Sequence, residues 1–99
     1  MEIREMLDKT EILAQLAEEA AELAQAALKL RRAIDGKNPT PKSISECEDA
    51  LDEEIADVVL CLCLLGFASD DHINTQALIM CRKEERWLSR LRKKEESEC

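Results

Sequence analysis

The stretch from Cys47 to Leu65, CEDALDEEIADVVLCLCLL, puts a carboxylate where a helix would carry an apolar side chain. At about 100° per residue, Glu54 falls within about 60° of Leu51, Val58, Cys61 and Leu65. The acids Glu48, Asp49, Asp52 and Glu53 point the other way, and Asp57 lies at the edge of the apolar stripe. A carboxylate aimed into a core is costly unless something pairs with it. No Lys, Arg or His shares that face. Glu54 and Asp57 therefore read as two ligands that need others.

The segment before it supplies them. Thr10 is the expected N-cap of a long helix that runs to about Ile34 and is closed by Asp35-Gly36. On its wheel Glu11, Gln15, Glu18, Glu22, Gln25 and Lys29 form a polar stripe. Glu19 departs from that stripe and falls among Ile12, Leu16, Leu23, Ala26 and Leu30. Glu19 and Glu22 are three residues apart, so both can lean toward one point. Alanines at 14, 17, 20, 21, 24, 26 and 27 keep the helix thin, which favours close helix approach.

The remaining chain is expected to be helical as well. Good helix formers dominate, and Gly and Pro total four, two of each. Residues 1–9 are a lead-in segment, either a short N-terminal helical turn or a frayed end. Residues 36–42, GKNPTPK, form the one clear loop. Ser43 and Ser45 each have Glu three residues later, so either could open the next helix with a capping box. That helix ends near Leu65-Gly66, and its last turns, VVLCLCLL, are apolar all round. After a connector from Phe67 to His72, a last helix spans about Ile73 to Glu95, with 96–99 as a frayed tail. Ile73, Ala77, Met80, Trp87, Leu88 and Leu91 make its apolar stripe, flanked by Lys83, Arg86 and Arg90.

The expected architecture is all-α: a single domain over 1–99 in which three long helices form an antiparallel bundle. A chain of 99 residues is small for burying its own core. An all-round apolar helix end adds to that argument, so a four-helix-type bundle completed by homo-oligomerisation, a dimer or a dimer of dimers, is expected. Net charge −8 argues against nucleic acid or an anionic membrane as partner. Five cysteines without a CxxC pair read as small reduced core residues, which implies a cytoplasmic location. From Arg82 to Lys94 there are seven basic and two acidic residues, either a solvated face or an anion site.

Four carboxylates, Glu19, Glu22, Glu54 and Asp57, thus face one interior. Oxygen ligands alone suit hard cations, Mg2+ first and Mn2+ as the alternative. A di-iron bundle would need Glu-x-x-His on two helices, and His72 is the only histidine. Pairing of these acids with basic side chains across a helix interface is the structural counter-reading.

LAEEAAELAQAALK followed by LDEEIADVVLCL resembles the MazG-like members of the all-α nucleoside triphosphate pyrophosphohydrolases. Their signature is E-E-x-x-E and then, after a variable gap, E-x-x-D. Glu18, Glu19 and Glu22 match the first part, and Glu54 with Asp57 matches the second. KEERW, Lys83 to Trp87, is similar to that family's Lys/Arg-containing final helix. The resemblance covers about residues 10 to 91. The gap from Glu22 to Glu54 is long for the family, and Trp87 stands where several relatives carry an asparagine. The resemblance implies Mg2+-dependent hydrolysis of a nucleoside triphosphate to the monophosphate and pyrophosphate, a housekeeping of nucleotide pools. Glu19, Glu22, Glu54 and Asp57 would act through bound metal, and Lys83 and Arg86 would bind substrate phosphates. The alternatives are a non-catalytic metal- or nucleotide-binding bundle and a structural helical module that dimerises through Val58 to Leu65.

Overall fold

The computed structural model describes residues 2–36 and 41–98. Four helices account for the chain: α1 (Ile3–Met6), α2 (Lys9–Asp35), α3 (Ile44–Leu64) and α4 (Asp70–Glu98). No strand occurs among the described residues, so the all-α expectation holds. None of the helices is long and apolar enough to cross a membrane. The chain divides into two compact units, Met1–Phe67 and Ala68–Cys99, and each is described by itself.

The first unit is an α2–α3 hairpin with α1 against one end. Capping decides where each helix starts. α2 begins at Asp8, not at Thr10: the Glu11 N–H donates to Asp8 Oδ1 at 2.8 Å and the Asp8 N–H donates to Glu11 Oε1 at 3.2 Å. Thr10 could not close such a box, because Leu13 stands three residues on. Its hydroxyl instead donates to the same Asp8 oxygen at 2.6 Å. α3 begins at Ser43, whose Oγ accepts from the Glu46 N–H at 3.1 Å while Glu46 Oε1 accepts from the Ser43 N–H at 3.1 Å.

Two glycines end these helices in the left-handed region that only glycine adopts cheaply. Gly36 has φ 66° and donates its N–H to Arg32 O at 3.0 Å. Gly66, with φ 87°, closes α3 in a Schellman motif: its N–H reaches Cys63 O at 3.1 Å and the Phe67 N–H reaches Leu62 O at 2.9 Å. Arg4 then extends from α1 to donate to Cys63 O at 3.0 Å, which ties the lead-in turn to the end of α3. Of the expected loop 36–42, residues 37–40 lie outside the described residues, as does Cys99.

α2 and α3 run antiparallel. Ile12 shares a cavity with Cys61 and Leu64, while Ala26 shares another with Cys47 and Ala50. Ile12, Ala26, Cys47 and Cys61 are the buried residues, and Leu16, Glu19, Leu23 and Leu30 are half-buried beside them. This is the stripe read from the wheel, with Glu19 inside it. On α3 Leu51, Glu54, Val58 and Leu65 are half-buried, and Glu48, Asp49, Asp52 and Glu53 are exposed, again as the periodicity requires. Of the seven alanines at 14, 17, 20, 21, 24, 26 and 27, Ala26 alone is buried. Close approach thus rests on one buried alanine that shares a cavity with Cys47 and Ala50, while the others are exposed. The apolar turns of α3 are only partly covered within the chain: Val59 is 46% and Leu60 52% exposed.

The second unit is essentially α4. It starts three residues before the expected Ile73. Ser69 caps it, its Oγ accepting from the His72 N–H at 3.4 Å and its carbonyl from the Ile73 N–H at 2.8 Å. Asp70 and Asp71 sit in the first turn, where the helix dipole favours negative charge. The helix continues through residues 96–98, where a frayed tail is expected from sequence. No residue of α4 is buried; Met80 is 68% and Trp87 65% exposed. A lone helix has nothing in its own unit against which to bury an apolar stripe.

Candidate metal centre

The first unit brings three of the four expected carboxylates to one place. Glu19 and Glu22 project from consecutive turns of α2, and Glu54 meets them from α3. One carboxylate oxygen from each lies within 4.8 Å of the other two. The antiparallel hairpin makes this possible, because it sets the middle of α2 against the middle of α3.

The environment of these groups is unusual for acids. Glu19 Oε2 and Glu54 Oε2 are both shielded from solvent with no hydrogen-bond partner. Buried polar atoms are nearly always satisfied, so two unpartnered oxygens in one cluster are unusual. Gln15, one turn before Glu19, donates from Nε2 to Glu19 Oε1 at 2.8 Å. That contact orients the carboxylate and leaves its second oxygen aimed inward. The Glu54 carboxyl is pushed above its ordinary value, first by burial, then by the charges of Glu22, Asp57 and Glu19, and by a hydrogen-bonding contact with Glu22. No cation is near enough to reverse this; the one ion pair among the described residues is Arg31–Asp35.

Asp57 stands apart from the trio. It is exposed, one turn along α3 from Glu54, and lines a cavity of about 290 Å3 together with Glu19, Gln15 and Cys61. Its charge is felt by Glu54 and by the Cys61 thiol, which burial and then Glu19 and Asp57 push upward. Glu18 is exposed and outside the cluster. Lys83 and Arg86 are exposed positions of α4, in the second unit. Cys47 and Cys61 are buried, Cys63 and Cys81 exposed, and all four are free.

On the side of the trio away from Asp57, a groove of about 330 Å3 opens between α2 and α3. Glu22 and Glu54 line it together with Lys29, Lys42, Gln25 and Glu53. Gln15, Lys29 and Lys42 are the site residues that sequence reasoning does not single out. The first two lie on the polar stripe with Glu22, which was their signal; Lys42 sits in the loop and carried none.

The donor set fits a hard divalent cation. It is all oxygen, carries three formal negative charges, and contains two oxygens that lack a partner. Comparison of the chain with protein-family models, with curated proteins and with solved structures gave no match.

Proposed function

We propose that this chain is a Mg2+-dependent nucleoside triphosphate pyrophosphohydrolase of the MazG-like type, working in the cytoplasm as a homo-oligomer. The observation that carries the reading is the trio Glu19, Glu22 and Glu54, with two shielded oxygens that no protein group satisfies. A structural ion pair would bring a lysine or arginine onto these carboxylates, and among the described residues none pairs with them.

In this reading Glu19, Glu22 and Glu54 hold the ion and Asp57 completes the set from one turn away. A cation so held neutralises phosphate charge and acidifies water. The chain's own groups do the rest. Gln15 fixes the orientation of Glu19. Water attacks the α phosphorus and gives up its proton to solvent. The new bond joins that phosphorus to the water oxygen. The bond that breaks joins the α phosphorus to the oxygen bridging to the β phosphate, and pyrophosphate leaves with the electron pair. Lys83 and Arg86 are proposed to hold outer phosphate oxygens, as the resemblance implies.

The exposed apolar turns of α3 and the exposed stripe of α4 support assembly into antiparallel bundles shared between subunits. Four free thiols suit a reducing compartment. The test is a panel of common nucleoside and deoxynucleoside triphosphates with Mg2+, reading pyrophosphate against orthophosphate. Pyrophosphate release that Glu22→Gln abolishes is expected. Binding of Mg2+ without turnover of any nucleotide would leave a metal- or nucleotide-binding bundle, and no Mg2+ effect at all would leave a structural module.

A further inference from the structure

The groove beside the trio has two chemically different ends. Glu22 and Glu54 belong to the acidic cluster, whereas Lys29 on α2 and Lys42, which directly precedes the N-cap Ser43 of α3, are the basic groups that line the same space among the described residues. We infer that Lys29 and Lys42 hold the outer two phosphates of a metal-complexed nucleoside polyphosphate, and retain the pyrophosphate as it leaves. The inference rests on the hydrolase reading above and adds these two lysines of the α2–α3 groove to Lys83 and Arg86 as phosphate ligands.

Three features carry it. The first is spacing. Lys29 is seven residues from Glu22, two turns or about 10 Å of helix axis. Helix side chains lean toward the N-terminus, so Lys29 leans back toward Glu22 and not away from it. The second is availability. Lys29 has no ion-pair or hydrogen-bond partner among the described residues, and Lys42 exerts only the smallest of the influences on Glu46. Two ammonium groups left open beside an acidic cluster are positioned for an anion that arrives with its own cation.

The third is selectivity. A groove that also contains Glu22, Glu53 and Glu54, in a chain of net charge −8, repels a bare phosphate chain. A phosphate chain complexed with a divalent ion meets attraction at both ends, carboxylates for the metal and ammonium groups for the phosphates. The cavity, about 330 Å3, lies at the small end of ligand-site volumes and suits a phosphate chain without its nucleoside.

The test is calorimetric titration of inorganic pyrophosphate, in saturating Mg2+, into the full chain and its variants Lys29→Gln, Lys42→Gln and the double. Both lysines are exposed, so neither change threatens the fold, and thermal melts check this. Each single variant is expected to weaken pyrophosphate binding about tenfold and the double more, with affinity for Mg2+ alone unchanged. Arg31→Gln, which removes the same charge from α2 outside the groove, is expected to leave pyrophosphate binding intact. Equal pyrophosphate affinity in the double variant and the wild type overturns the inference, while continued nucleotide turnover keeps the hydrolase reading. Equal weakening in Arg31→Gln also overturns it, as does a wild type that turns over nucleotide without binding pyrophosphate. A wild type that neither binds Mg2+ nor releases pyrophosphate removes the hydrolase reading, and this inference with it.

Discussion

Glu19 on α2 and Glu54 on α3 bring carboxylate oxygens within 4.8 Å of each other, and each has its Oε2 shielded from solvent without a hydrogen-bond partner. The chain accepts this repulsion in the middle of its best-packed helix pair. A structural acid would be placed on the outer face, as Glu48 and Asp49 are. The pair therefore links the folding of the hairpin to the ion it is proposed to bind.

Glu54→Gln separates that role from a structural one. The Glu54 carboxyl is raised above 4.5, so its charged form is disfavoured in the fold. The cost is fully present above the folded value and is relieved as pH falls through it, because the folded state then binds the extra proton. Without metal the variant should melt at or above the wild type at pH 7.5, and the advantage should shrink toward pH 4.5. Saturating Mg2+ should raise the wild-type melt, by about 2.7 kcal/mol at a hundredfold excess over Kd, and leave the variant unmoved. A variant strongly destabilised without metal that still hydrolyses nucleotide would refute the ligand role.

Lys83→Ala tests the final helix. If Lys83 contacts outer phosphate oxygens, its loss removes about 1.5–3 kcal/mol of binding. The KM for nucleotide should rise at least about tenfold with Mg2+ affinity unchanged. Unaltered kinetics in Lys83→Ala and in Arg86→Ala would return the basic run to a solvated face.

Val59→Glu tests assembly. Val59 is 46% exposed, on the side of α3 away from Glu54. The wild type should scatter light as an oligomer at micromolar concentration, and the variant should shift toward the monomer mass. A wild type that remains a well-folded monomer would rule out the shared bundle.

Asp8→Asn reads the first cap. Asp8 is held below its ordinary 3.8, chiefly by the Thr10 hydroxyl and then by the Glu11 N–H. Its stabilising contribution is therefore full above 3.8 and is lost as pH falls through the lower folded value. Asparagine keeps the capping oxygen without the charge. The wild type should melt above the variant at neutral pH, and the two curves should converge in acid.

Gly66→Ala probes the end of α3. A methyl group there meets nothing within 4 Å, so the penalty is that of the left-handed backbone alone. About 1–2 kcal/mol of stability should be lost, without any change in Mg2+ affinity.

The helices and the inward turn of Glu19 and Glu54 were legible in the chain itself, because a 3.6-residue period fixes which side chains share a face before any partner is known. Capping was legible only in part. Gly36 and Gly66 act as expected and Ser43 takes the cap that Ser45 could also have formed, but Asp8 displaced Thr10 because a capping box needs an acid three residues on, which Glu11 supplies and Leu13 does not. The tertiary structure decided what the wheels cannot: that α2 and α3 pair so as to set Glu22 against Glu54, and that Lys42, from a loop without periodicity, comes to line the same groove as Lys29. It also held Asp57 outside the trio, although one turn of sequence separates it from Glu54. Periodicity assigns a residue to a face, whereas the distance between two faces depends on the small contact of Ala26 with the Cys47 and Ala50 side, which is a property of packing.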